Sequence, residues 1–263
     1  MGRTFDDLVR EAELAPIKGW DFSWLEGRAK EARPSWGYSR LAADRLATVS
    51  SALDIDTGGG ELLARIGKLP PTMVATESWP PNVAVAKERL ARIGVRLVET
   101  STEPTLPFES ASFDLVLNRH GARGRAATQE AVEWWKEVVR VIRPSGSFLS
   151  QQVGGRTMSE LGEAMGMAWA SDSNRPRWGP EMARTVMEVA GLRIVDLREE
   201  FPLTEFFDIG AVVYYLRLVV WIVPGFSAEK YRPALLRIHR QIEENGSFAA
   251  HAHRFLVDAR AGA

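Results

Sequence analysis

Two hydrophobic periods alternate along the first 200 residues. Short apolar runs at 51–55, 72–76, 95–99, 112–118, 147–153 and 192–197 predict strands, and "HRFLVDAR" at 253–260 predicts a seventh. After a first helix at 5–14, apolar residues recur at helical spacing over 41–50, 61–66, 82–92, 127–142 and 179–190. The fourth run, "SFDLVLN", is nearly continuously apolar at its centre, the pattern of a strand covered on both faces. Alternation of this kind predicts an α/β fold with a doubly wound, mostly parallel seven-stranded sheet. Two regions interrupt it, a Trp-rich N-terminal stretch and a mostly helical insertion. The expected division is therefore 1–50 as an N-terminal helical cap segment, 51–200 as the α/β core, 201–250 as a helical insertion and substrate lid, and 251–263 as the last strand of the core. Both cap elements are expected over the carboxyl edge of the sheet, where open α/β sheets bind ligands.

The stretch "LDIDTGGGE", residues 53–61, carries the clearest chemical signal. An apolar run ends in Asp54, and Gly58, Gly59 and Gly60 follow. Glycines between a strand and a helix let a ligand touch the backbone, and the helix start offers free N–H groups. Glu77 closes the next strand, 17 residues after Gly60 (77 − 60). An acid near that spacing accepts ribose hydroxyls, so the pair predicts a nucleoside-containing cofactor. A glycine turn alone would be only a turn. A nicotinamide site expects a third glycine, and Leu63 stands in its place. An acid just before the loop suits a ligand carrying positive charge.

Composition narrows the classes further. The 263 residues are 45% hydrophobic and 25% charged, with a net charge of −1. That gives no electrostatic case for nucleic acid or an anionic membrane surface. With no cysteine, disulfides, thiolate catalysis and cysteine zinc sites are excluded. Residues 1–18 lack an apolar signal core. The most apolar stretch, 209–223, is short for a membrane span and contains Arg217, so a buried helix is expected. The expected location is the cytoplasm.

At this point the sequence resembles the class I S-adenosylmethionine-dependent methyltransferases. "ALDIDTGGGELL" looks like their first motif and "VATESWPPNVAVAKERL" like their second. "LPFESASFDLVLNRH", "VVRVIRPSGSFL" and "AGLRIVDLREE" resemble the segments around strands four, five and six. The similarity runs in order over about 51–200. It implies a Rossmann-like methyltransferase fold with an antiparallel last strand, and S-adenosylmethionine as cofactor. Three positions depart from the family pattern. Asp56 stands at the loop's first glycine, Thr102 with Glu103 beside it at the usual adenine-side acid, and Ser145 at a glycine.

The resemblance implies a cofactor site built from Asp54, Asp56, Thr57, Gly58, Gly59, Gly60, Glu77, Ser78, Thr102, Glu103, Asn118 and Arg119. His120, directly after strand four, is either a general base or a structural loop histidine. Trp36, Tyr38, Gln151, Phe207 and Tyr214 are candidates to line a small-molecule acceptor site. Trp36 and Tyr38 are favoured as loop-borne, and alternation puts one of Gln151 and Gln152 on the site. His251 and His253 fall on one face of the last strand without a further ligand, so no metal is expected. The alternatives are an RNA or protein methyltransferase, a methyltransferase-like protein that binds the cofactor without catalysis, and, behind these, a nicotinamide dehydrogenase. No membrane partner is expected, and the oligomeric state is left open.

Overall fold

A computed structural model describes residues 2–17, 19–101, 105–121, 123–172 and 177–262. It resolves into two compact units. The larger comprises Pro34–Gly155, Arg177–Glu200 and Arg254–Ala263, and the smaller Met1–Arg33, Arg156–Pro176 and Phe201–His253.

The larger unit is built on a seven-stranded sheet. Its strands are β1 (Ser51–Ile55), β2 (Thr72–Glu77), β3 (Arg96–Glu99), β4 (Phe113–Arg119), β5 (Ile142–Val153), β6 (Leu192–Glu200) and β7 (Arg254–Ala261). Their order is β3-β2-β1-β4-β5-β7-β6. The first five pair in parallel, and β7 lies antiparallel between β5 and β6. Every residue of β1 is buried, as a central strand covered on both faces requires. The order reverses at β1 and β4, which places their carboxyl ends at the topological switch point where such sheets bind ligands.

Local signals explain the flanking helices. Thr128 accepts from the Ala131 N–H and starts Gln129–Val141, whose Trp134, Trp135 and Val138 turn into the core. Trp135 meets Phe148 of β5 edge to face, with ring centroids 5.5 Å apart. Proline at the first turn sets both Pro80–Ala91 and Pro180–Val189.

The smaller unit has its own core and its own sheet. Leu203–Phe206 pairs antiparallel with Ala29–Glu31 on one side and Phe248–His251 on the other. The apolar helix Ile209–Leu218 is almost wholly buried. Arg217 inside it is no membrane signal. Its guanidinium donates to the carbonyls of Ala12 and Ala15, the orphaned acceptors at the end of helix Phe5–Leu14.

Three expectations are corrected here. The N-terminal segment divides after Arg33 and not at 50, because Trp36, Tyr38 and the helix Tyr38–Leu46 pack into the core of the sheet unit. The insertion is not only helical, and residues 156–176 join it in the smaller unit. His251 and His253 precede β7. His251 ends a strand of the small sheet and its Nδ1 meets Glu160 Oε1 at 2.6 Å.

Candidate active site

The glycine loop leaves the carboxyl end of β1. Asp54 is buried there, and its carboxylate accepts from the Thr57 hydroxyl at 2.7 Å. Burial raises its pKa to about 7, with Asp56 and Glu77 adding to the rise and Thr57 and Arg119 opposing it. A buried acid with one hydroxyl partner and a suppressed charge is suited to a cationic ligand group.

Asp56 takes the left-handed conformation, φ 57°, that a family glycine would take. It is held there by Arg123, whose guanidinium lies 2.9 Å from its carboxylate and 4.0 Å above the Trp134 ring. The glycines answer in part to the chain itself. A Cβ at Gly59 would lie 2.7 Å from the Arg89 guanidinium, and one at Gly60 2.9 Å from Leu90. Arg89 also bonds the Gly59 carbonyl and Glu61. The loop is thus tied down from the helix Pro80–Ala91, a feature that the sequence pattern did not reveal.

Glu77, buried at the end of β2, receives the N–H groups of Gly58 at 2.8 Å and of Ser78 and Trp79 at 2.9 Å. Asn82 Nδ2 makes a longer fourth contact of 3.4 Å. The acid therefore couples the glycine loop to the start of the next helix. Thr102 and Glu103 lie outside the described residues.

On the β4 and β5 side, Asn118 Nδ2 donates to the Ile55 carbonyl at 3.0 Å and stitches β4 to β1. Gln152 Nε2 donates to Asn118 Oδ1 at 2.7 Å. Gln151 faces elsewhere. Its Oε1 accepts from Trp36 Nε1 at 2.8 Å, and its Nε2 lies 2.9 Å from His120 Nε2. Because the amide oxygen is taken by the indole N–H, the amide nitrogen is the donor to His120. The imidazole then accepts at Nε2 and carries its proton on Nδ1. Partial burial and the charges of Arg254, Arg119 and Arg125 push the His120 pKa well down, so the ring is neutral. Its φ of 64° is a second left-handed position at this edge. The lone pair that a general base needs is already engaged.

The charges of three arginines reach this ring. Arg125 donates to the His120 carbonyl at 2.6 Å, and its Nε is buried with no partner. Burial and Arg254 lower its pKa to about 10, against the pull of Asp56, which leaves it charged at neutral pH. Arg254 is buried at the start of β7, and Arg119 is exposed at the end of β4. Of these, only Arg119 was singled out by the sequence. Arginines 125 and 254 carry no local motif, since β7 brings Arg254 here across more than a hundred residues of chain.

The other acceptor candidates separate. Tyr38 is buried, and its hydroxyl donates to the Leu149 carbonyl at 3.1 Å, a structural role at the start of a helix and not on a loop. Tyr214 is buried in the smaller unit, stacked on Trp24 with centroids 4.7 Å apart, and its hydroxyl donates to the Asp21 carbonyl. Phe207 is exposed and also belongs to the smaller unit.

The family model for a methyltransferase domain matches residues 53–150, from β1 to the middle of β5. A comparison with curated proteins finds no match. Among solved structures, the YcgJ protein of Bacillus subtilis superposes with a TM-score of 0.59 at 15% identity, over 86% of this chain and 98% of its own. A protein of Bacillus halodurans proposed to be a methyltransferase gives 0.58 at 15% identity, over 85% and 98%. The [4+2]-cyclase SpnF gives 0.51 at 15% identity, over 97% and 91%. At such identities the structures speak for the fold alone, and the cyclase shows that one fold carries more than one reaction. The matched segment holds the acid, the glycine loop and Glu77 in the geometry just described. Residues 53–150 belong to the class I S-adenosylmethionine-dependent methyltransferase family, and the chain is a methyltransferase enzyme with S-adenosylmethionine as its cofactor.

Proposed function

We propose that this methyltransferase acts on a small-molecule acceptor, bound at the β4–β5 edge next to His120 and Gln151. The observation that carries the reading is the buried Trp36–Gln151–His120 chain, which fixes one imidazole in one tautomer where the acceptor would sit. Such fixed polar groups suit a small ligand with defined hydrogen-bonding atoms. A net charge of −1 argues against a nucleic-acid substrate.

The donor set fits the cofactor. Asp54 would take its ammonium group, and the Gly58–Gly60 backbone would lie along its amino-acid part. A ribose hydroxyl would replace the long Asn82 contact on Glu77. The bound cofactor supplies an electrophilic methyl group on a sulfonium. Transfer is an in-line displacement, so the chain contributes alignment and exclusion of water. His120 donates through Nδ1 and orients the acceptor. The nucleophilic atom therefore arrives without a proton to lose, or loses it to water.

Incubation with methyl-tritiated S-adenosylmethionine and a fractionated cell extract tests the reading. Label is expected in the small-molecule fraction. Label confined to RNA or protein overturns it.

A further inference from the structure

The glycine loop, Asn118 and Gln151 lie at the carboxyl ends of β1, β4 and β5. A second cavity opens at the opposite, amino edge of the same sheet. It encloses about 280 Å³ between the end of helix Tyr38–Leu46, the start of β4, the first residues of β5 and the end of β7. Arg45, Arg143 and Arg260 line it from three elements, together with one acid, Asp114.

The charges there do not balance. Asp114 is fully engaged, accepting from Arg143 Nη1 at 2.8 Å, from the Ser50 and Ser51 N–H groups at 3.1 and 2.9 Å and from the Ser51 hydroxyl at 3.0 Å. Asp258, two residues before Arg260 on β7, takes Arg45 Nη2. Asp196, opposite Asp258 on β6, is held by Arg198 at 2.7 Å. Each of these acids thus has an arginine of its own. Among the described residues, Arg260 has no ion pair or side-chain hydrogen bond, and neither has Arg193, its register partner on β6. Cross-strand partners share a face, so two like charges stand side by side without an acid. Asp44, next to Arg45, is exposed and lines no part of the cavity. Arg45 Nη1 is buried without a hydrogen-bond partner. Asp258 Oδ1 is equally unbonded, but its charge is already set against Arg45.

Two further features suit an anion. Carbonyls at a helix end repel one, but those of Ala43 and Arg45 are taken by the Ala47 and Thr48 N–H groups and the Thr48 hydroxyl. Ser145 lines the cavity at φ 65°, a conformation that glycine holds without strain. A hydroxyl stands in the cavity wall in spite of that strain.

We propose that this cavity binds the phosphate group of a small molecule, with Arg45, Arg143 and Arg260 as its cationic contacts and Ser145 as a hydroxyl donor. Guanidinium groups left over after every acid is paired call for a ligand with more than one negative charge. Donors from several elements suit a tetrahedral group with its three free oxygens. A carboxylate, planar and singly charged, would answer one arginine and leave the excess. The cavity leaves room beyond the phosphate for a small ester group. The site is separate from methyl transfer, so the inference does not rest on the identity of the methyl acceptor.

Calorimetry of the full chain at constant ionic strength tests this with inorganic phosphate, glycerol 3-phosphate and acetate. Saturable binding tighter than about 1 mM is expected for at least one of the two phosphate compounds, and weaker binding for acetate. The tighter of the two identifies the source as free phosphate or an ester. Arg260→Gln, which breaks no ion pair, should weaken that binding by about tenfold. Ser145→Gly should raise the urea midpoint by relieving the backbone, and still weaken binding by about threefold. Arg240→Gln, at an exposed position of the smaller unit, should bind as the wild type does. The inference is overturned if neither phosphate compound binds saturably, if acetate binds as tightly, or if Arg260→Gln loses no more than Arg240→Gln.

Discussion

At the scale of single residues, Asp54 sets a pH dependence. Its carboxyl sits at about 7 before the cofactor binds, whereas an ammonium pairs only with the ionised form. Binding therefore releases a proton below pH 7. S-adenosylmethionine affinity should weaken as pH falls from 7, by up to about tenfold per unit. Asp54→Asn should bind weakly with a flatter profile, and calorimetry from pH 5.5 to 8 reads both. The sign for stability is opposite. A carboxyl raised from 3.8 to about 7 favours the unliganded fold in its protonated form, and that contribution fades as pH rises through 7. Thermal melts of the free protein should thus lose more between pH 5 and 8 in wild type than in Asp54→Asn. Asp54 was legible in the sequence as an acid before a glycine loop. Its suppressed charge was not, because burial is a property of the packed sheet.

At the scale of elements, the loop between β1 and its helix is fastened from outside. Glu77 gathers the Gly58, Ser78 and Trp79 N–H groups onto one buried carboxylate. Glu77→Ala leaves those donors without an acceptor, so it should cost about 2 kcal/mol or more of stability as well as at least tenfold in cofactor affinity. Unchanged denaturation midpoints would contradict the fastening role. Asp56 is the other fastener, holding a left-handed turn by its pair with Arg123. Asp56→Ala keeps the unfavourable backbone and loses the ion pair. Asp56→Gly loses only the pair, so it should be the milder change by about 1 kcal/mol in urea unfolding. The departure from the family glycine is in this way compensated by a partner 67 residues away, which no local pattern displays.

At the scale of the whole molecule, the sheet is closed by its last strand. β7 lies between β5 and β6, pairing with Val153 to Ser147 on one side and Glu200 to Leu192 on the other. A chain truncated before Arg254 would leave β6 without its neighbour in the sheet and expose two long edges. Truncation at His253 should abolish cooperative unfolding and yield aggregated protein. A cooperative transition near the wild-type midpoint would show that β7 is dispensable. The span 51–200, which reads as the core domain in the sequence, is for the same reason not a folding unit. The smaller unit likewise draws on three separated segments. Its Arg28 clasps Asp208 through Nε at 2.8 Å and Nη2 at 3.0 Å.

The sequence by itself determined the strands, their mostly parallel character, the glycine loop, Asp54 and Glu77. Each of these follows from local period or short spacing, where one residue's role is decided by near neighbours. The first helix, Phe5–Leu14, was legible from its helical spacing, and the structure adds the Thr4–Asp7 capping box that fixes its start. Only the tertiary structure decided the small sheet, which pairs Ala29 with Phe206, 177 positions away (206 − 29), and whose short strands carry too few positions for alternation to show. It also decided which glutamine faces His120, and that the indole of Trp36 is spent on that glutamine. Arg125 is the clearest case. It looks like an ordinary surface cation in the sequence, and only the fold buries its Nε and sets its guanidinium on the His120 carbonyl. Periodicity records which face of an element is buried, but not what the fold brings to meet it.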